Sequence, residues 1–234
     1  MLTNKYFGDE HILKSISTTI SKGEVVAIMG PSGGGKSTFI RCINRIEEPT
    51  TGQIYFGDLE VTGSKNKICD IRRDIGMVFQ NFALFPHLTA LENIMLAPTK
   101  VKKISKVKSK INAMALLKRV GLEEKANNFP EQLSGGQQQR VAIARAYALN
   151  PQVLLMDEPF GALDAQTRLV MQESLLDVWS EFGTTVLFVT HDVDESVFLA
   201  DKIIVMSASP GKVVAEFDNP LPRPRSQSMA TRSD

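Results

Sequence analysis

The chain has 234 residues, enough for one or two domains around a sizeable buried core, which excludes a miniprotein held together by disulfide or metal staples. Its 27 Lys and Arg nearly balance 26 Asp and Glu, so a net charge of +1 sets up no global field favouring nucleic acid or an anionic membrane. The two cysteines, Cys42 and Cys69, fit neither a disulfide framework nor zinc-ligand spacing and read as two buried or inert thiols in a reducing, cytoplasmic compartment.

In chain order, the opening stretch carries Lys5, Asp9, Glu10 and Lys14 and no hydrophobic block, which argues against a secretory signal, and no later apolar run is long enough to span a bilayer. Any membrane association must then go through a protein partner. Residues 12–20 alternate, with Ile12, Ile16 and Ile20 on one face, and Ile54 and Phe56 repeat the habit, so both stretches are predicted as half-exposed strands. The blocks at 25–29, 153–156, 185–189 and 203–206 are continuously apolar, as strands covered on both faces are. They predict a parallel sheet surrounded by helices.

From about 87 to 150 the signals are helical, with no strand-like block, which predicts a helical lobe inserted into an α/β core. Within it, Ser105 is predicted to cap a helix with the stripe Val107, Ile111, Met114 and Leu117, ended by Gly121. Lysines 100, 102, 103, 106, 108 and 110 read as a solvated helix start, with a partner-docking surface as the alternative. A further helix begins near Ala165, places Met171, Leu175, Val178, Trp179 and Phe182 on one side, and stops at Gly183. From Asp218 onward Pro220, Pro222 and Pro224 exclude a ladder or a helix, and the tail 218–234 is expected to be extended or disordered.

Three segments carry chemistry. Gly30-Pro31-Ser32-Gly33-Gly34-Gly35-Lys36-Ser37 follows a buried strand and opens a helix containing Phe39, Ile40 and Ile43. Glycines let successive N–H groups point inward and the helix N-terminus adds partial positive charge, a cradle for a di- or triphosphate. Lys36 would reach the β- and γ-phosphates and the Ser37 hydroxyl would bind Mg²⁺. Val153-Leu154-Leu155-Met156 delivers Asp157 and Glu158 at a strand end, where ligands of open α/β sheets collect. Alternation lets Asp157 face a metal while Glu158 faces the γ-phosphate and polarises a water. Leu133-Ser134-Gly135-Gly136-Gln137, opening a helix, is a second anion site that one triphosphate does not need.

With these segments, the chain resembles the nucleotide-binding subunit of an ABC transporter: GPSGGGKST is similar to Walker A, LSGGQ to the family signature and VLLMDE to Walker B. The resemblance runs from about residue 2 to about 225 and implies a P-loop NTPase (RecA-like) core of residues 1–86 and 151–217. It adds an N-terminal antiparallel β subdomain and an inserted helical subdomain of residues 87–150. Phe7 matches the aromatic position that stacks on adenine, Gln80 the Q-loop glutamine that touches Mg²⁺ and the permease, and His191 the switch histidine on the γ-phosphate. Gly161-Ala162-Leu163-Asp164 resembles the D-loop, with Gly161 where amino-acid importers usually have Ser. His11 and His87 match no motif.

The resemblance therefore implies that ATP is bound by Phe7, by Gly30, Pro31, Ser32, Gly33, Gly34, Gly35, Lys36, Ser37 and Thr38, and, from a partner chain, by Ser134, Gly135, Gly136, Gln137 and Asp164. Ser37, Gln80 and Asp157 would serve Mg²⁺, and Glu158, His191, Lys36 and Gln80 would serve hydrolysis. The implied assembly is a head-to-tail homodimer, or a pair with a similar subunit, seated on a permease at the inner membrane face and served indirectly by an extracytoplasmic solute-binding protein. Two branches of importer are resembled. FIRCINR, GMVFQNFALFPHLTALEN and FPEQLSGGQQQRVAIARA are similar to polar amino-acid importers, whereas DEPFGALDAQTR, VTHDVDESVFLAD, SPGKVVAEF and LPRPR are similar to nitrate, sulfonate and taurine importers. Polar amino acids are preferred because the first set includes the Q-loop and helical lobe that meet the permease; the nitrate branch and a non-transport ABC ATPase are the alternatives. A coiled-coil chromosome ATPase has no room between Lys36 and Ser134.

Overall fold

The computed structural model describes residues 2–63, 68–161 and 163–225, with the side chains of residues 174, 177, 178, 181 and 182 outside the description. Ala162, the tail beyond residue 225 and the predicted inward positions Val178 and Phe182 therefore lie outside the described residues. The chain forms two compact units, one of residues 1–72, 155–158 and 185–234, the other of residues 73–154 and 159–184.

In the first unit, strands β1 (Thr3–Phe7) and β2 (Glu10–Ile16) form an antiparallel pair, and β2 buries Leu13 and Ile16 rather than the predicted face of Ile12 and Ile16, because Ser15, at φ 52°, breaks the alternation. Ile20 falls beyond the strand. The second alternating stretch is shorter than predicted: β4 (Tyr55–Phe56) and β5 (Leu59–Glu60) pair as a two-residue hairpin. The main sheet is built on β3 (Val25–Met29), flanked in parallel by β8 (Thr185–Val189) and β9 (Lys202–Met206). Val26, Ala27, Ile28, Phe188 and Val189 are fully buried, consistent with their uninterrupted apolar sequence and with about 1.5–3 kcal/mol for each large aliphatic side chain removed from water. On the far side of β8 lies β7 (Val153–Asp157), whose last residues belong to this unit. Helix α1 (Lys36–Ile43) buries Phe39, Ile40 and Cys42.

An antiparallel edge strand on β9, β10 (Val213–Asp218), is not foreseen by the residue pattern. Past it, the described tail has no regular element, as the prolines require, yet it is tied down: Arg223 donates to Leu199 O at 2.6 Å and Arg225 Nη1 to Ala200 O at 2.6 Å.

The second unit holds β6 (Ile75–Val78), the neighbour of β7 in the sheet order, and, among the described residues, four α-helices and two short 3-10 turns. Helix α3 (Ala90–Lys100) starts at a reciprocal cap between Thr89 and Glu92, α4 (Lys106–Arg119) starts at Ser105 as predicted, and α5 (Gly135–Tyr147) starts at Ser134. Ile94, Leu117 and Val141 form their shared core. The stripe of α4 needs correction. Val107 and Ile111 are 73% and 64% exposed, and the inward residues are Ser109, Ala113 and Leu117. Ser109 and Ala113 line up with Leu117 at i, i+4 and i+8 on the packed face, so Leu117 keeps its predicted inward place while Val107 and Ile111 turn outward. Helix α6 (Ala165–Phe182) is capped by Asp164, buries Met171 and Leu175, and ends at a left-handed Gly183.

Among the described residues no helix is long and apolar enough to cross a membrane. Both cysteines are free; Cys42 is buried, and Cys69, in the short helix α2 (Ile68–Asp74), is exposed, so of the two alternatives, buried or inert, burial holds for Cys42 alone. Burial raises the Cys42 pKa to about 12. A thiol-reactive dye is therefore expected to label Cys69 rapidly in the native protein and Cys42 only on unfolding; equal labelling of both by mass spectrometry would contradict this burial.

Candidate functional site

In the first unit, β3 ends at Gly30, whose φ of 148° has its hypothetical Cβ 2.4 Å from Met206 O, so no larger residue fits. The turn closes at Gly35, in left-handed conformation (φ 77°), which begins α1 without any side-chain cap. The first N–H groups of α1 therefore lack a side-chain acceptor of the usual kind and face the loop, an arrangement suited to an anion. Lys36 is 5% exposed, and its Nζ folds back to donate to Gly30 O at 2.8 Å and Pro31 O at 2.9 Å. Burial lowers its pKa, with the Glu158 and Asp157 carboxylates opposing that shift.

Strand β7 brings Asp157 to the same helix. Asp157 is 1% exposed; Ser37 Oγ donates to its Oδ1 at 2.6 Å and Arg41 Nη2 to its Oδ2 at 2.8 Å. A hydroxyl and a carboxylate oxygen side by side, at the end of the glycine loop, are the hard oxygen donors Mg²⁺ selects, so these residues fit that ion. Glu158 follows with φ 44°, a left-handed conformation rare for a residue bearing a side chain, and its N–H donates to Val189 O at 3.1 Å. The backbone thus reverses where the second carboxylate leaves the strand. His191 is exposed in the turn between β8 and α7 (Val193–Leu199), which is capped by Asp192. Phe7 is 46% exposed, with Lys5 Nζ 4.5 Å from its ring centre.

In the second unit, Gln80 is exposed just after β6. Downstream of it, Phe82 and Ala83 have φ of 60° and 46°, and Arg145 of α5 donates to both carbonyls, at 2.9 and 2.6 Å. Asn93, fully buried, closes the same segment by accepting from Phe85 N and donating to Phe85 O, Leu88 O and Thr89 O. A strained turn is thus fixed to the helix that Ser134 opens. Ser134 and Gln137 cap each other: Ser134 Oγ accepts from Gln137 N at 3.3 Å, and Gln137 Oε1 accepts from Ser134 N at 3.0 Å. Gly136 packs with no room for a side chain, 2.5 Å from Thr167 Cγ2 to its hypothetical Cβ. Asp164 is exposed, and hydrogen bonds from the Thr167 hydroxyl and N–H hold its carboxyl below the usual range.

The structure brings together Gly30, Lys36, Ser37 and Asp157 in the first unit, and Ser134, Gly136 and Thr167 in the second. Four side chains in these arrangements were not singled out in the sequence: Thr167 against Gly136, Arg41 on Asp157, and Asn93 and Arg145 on the segment after Gln80. Arg41 was within reach of pattern reasoning, since it sits four residues after Ser37 on one helix face. Arg145 and Asn93 leave no such signal because their partners are backbone carbonyls.

Comparison with known proteins agrees with this geometry. The family model described as "ABC transporter" matches residues 13–161. The arginine transport ATP-binding protein ArtM of Bacillus subtilis is 49% identical over 220 residues, covering 93% of this chain and 89% of that protein. The glutamine transport ATP-binding protein GlnQ of Geobacillus stearothermophilus is 46% identical over 226 residues, 93% and 91% of the two chains. Among solved structures, the dimeric bacterial ABC transporter cassette MJ0796 aligns with a TM-score of 0.82 at 41% identity, covering 94% of this chain and 97% of that one. The same cassette has also been solved as a post-hydrolysis dimer bound to ADP and Pi. If the loop is the anion cradle, Gly35→Ala, which forces a Cβ into Leu13 and a side chain onto a positive φ, is expected to weaken binding of a fluorescent ATP analogue by about tenfold or more. Unchanged affinity in a titration would contradict the cradle.

Proposed function

The chain belongs to the ABC transporter family as an ATP-binding, ATP-hydrolysing subunit, and on that premise we propose that it powers uptake of a polar amino acid through a separate permease on the inner face of the cell membrane. The relatives support the amino-acid reading over the nitrate, sulfonate and taurine alternative. Proteins described as arginine, glutamine and general L-amino acid transport ATP-binding proteins match along 93% of the chain, including the C-terminal third that resembles the other branch.

In the proposed site, the loop N–H groups and Lys36 bind the β- and γ-phosphates, Lys36 exchanging two neutral carbonyls for charged oxygens. Ser37 and Asp157, joined by Gln80, would hold Mg²⁺, which neutralises charge on the phosphate oxygens. Glu158 takes the proton of an attacking water, and His191 orients the γ-phosphate. Phe7 offers an exposed face to the base. Ser134, Gly135, Gly136, Gln137 and Asp164 complete the site of a second copy, for which Ser134 would have to release its cap with Gln137. Residues 87–150 would relay closure to the permease. The observation that carries this reading is the buried Lys36, an ammonium hydrogen-bonded to two backbone carbonyls in a loop that ends at a helix N-terminus without a side-chain cap.

Lys36→Ala is expected to lower phosphate release by about 100-fold or more, and Glu158→Gln to do the same while keeping ATP affinity. In sedimentation with ATP, Glu158→Gln should accumulate as a dimer. Undiminished turnover in Lys36→Ala, or a Glu158→Gln protein that stays monomeric, would sink the proposed site. Reconstituted with its permease, the protein should drive uptake of a polar amino acid such as arginine or glutamine and not of taurine or nitrate.

A further inference from the structure

We propose that Arg41 is a positioning residue for the metal: it fixes the Asp157 carboxylate so that Oδ1, beside Ser37, is presented to the cation. Ser37 and Arg41 are one turn apart on α1 and reach the same carboxylate, one at each oxygen, 2.6 and 2.8 Å away. Asp157 is 1% exposed, while the Arg41 side chain is 39% exposed, so the helix delivers a charge from the rim to a carboxylate that water does not reach.

A buried carboxylate with a hydroxyl at only one oxygen would be under-compensated and free to rotate about its χ2 bond. The guanidinium removes both problems. It supplies the opposite charge without occupying Oδ1, and it holds the carboxylate oriented before any nucleotide arrives. The Nε of the same guanidinium is buried without a hydrogen-bond partner among the described residues, so the contact to Asp157 is made through Nη2. Lysine could match the charge but not the fork. Fixing the orientation of a ligating side chain through a neighbour is the means by which protein metal sites gain affinity beyond their direct ligands.

This inference rests on the assignment of Ser37 and Asp157 to Mg²⁺, and the test separates the two. Mn²⁺, as a spin-active substitute, is titrated by electron paramagnetic resonance into the full-length protein holding a nonhydrolysable ATP analogue. Analogue affinity is measured separately in EDTA. Arg41→Ala is expected to raise the half-saturating Mn²⁺ by about tenfold or more, with EDTA affinity changed less than about twofold, and Arg41→Lys to recover part of the loss. Arg41→Met, which keeps the packed stem without the donors, carries the same expectation should the alanine variant fail to fold. Unchanged or tighter Mn²⁺ binding in these variants, or an equal fall in EDTA affinity, overturns the role of Arg41. If Asp157→Asn also leaves Mn²⁺ binding unchanged, the metal assignment itself falls; if Asp157→Asn loses the metal while Arg41→Ala and Arg41→Met do not, only the present inference falls.

Discussion

A carboxylate sealed from water has to be compensated, and the way Asp157 is compensated organises the first unit. Strand β7 ends on it, and α1, the helix that follows the glycine loop, returns both of its donors, Ser37 and Arg41. That pairing fixes the helix to the strand end, and the helix in turn fixes the loop through Gly35 and Lys36. Breaking one partner of such a pair leaves a buried charge exposed to its full desolvation cost, several kcal/mol in magnitude. The order of causes is therefore apolar strands first, which bury the strand end, then the charge network, then the loop.

Two of the places where non-glycine residues take left-handed backbone lie at or beside candidate site residues. Glu158 leaves β7 with a positive φ, and Phe82 and Ala83 take the same region after β6. Each such residue costs on the order of 1–3 kcal/mol and persists only where the surroundings hold it. At Phe82 and Ala83 the restraint is explicit: Arg145 grips both carbonyls from the helix that begins at Ser134. Gln139 of the same helix, wholly buried, donates to Pro159 O, next to Glu158 in the chain. The signature-bearing helix thus holds both the segment after Gln80 and the segment after Glu158, which suits an element proposed to move with the state of the nucleotide.

Much of this was legible in the sequence for a physical reason. The glycine loop, the strand carrying Asp157 and the Ser134 turn are local, and each is a run whose chemistry and geometry sit in adjacent residues. Fully buried strands such as β3 and β8 announce themselves because both faces must be apolar. Strand β10 did not, since an exposed edge strand reading Val-Val-Ala-Glu-Phe-Asp has no buried face to encode. The outward stripe of α4 misled because Val107 and Ile111 have core-like period, whereas the packed face is made of Ser109, Ala113 and Leu117. The Arg41–Asp157 pair spans 116 residues, and no periodicity carries information over that distance.

The central claim is that the arrangement described is a resting state whose charges are redistributed when ATP arrives between two chains. A crystal structure of Glu158→Gln with ATP and Mg²⁺ tests it most directly. The account predicts a dimer in which Lys36 Nζ has left the carbonyls of Gly30 and Pro31 for the phosphates, with the γ-phosphate also facing Ser134 of the second copy. Nucleotide bound while Lys36 still rests on those carbonyls, or Ser134 still capping Gln137 in open solvent, would contradict it.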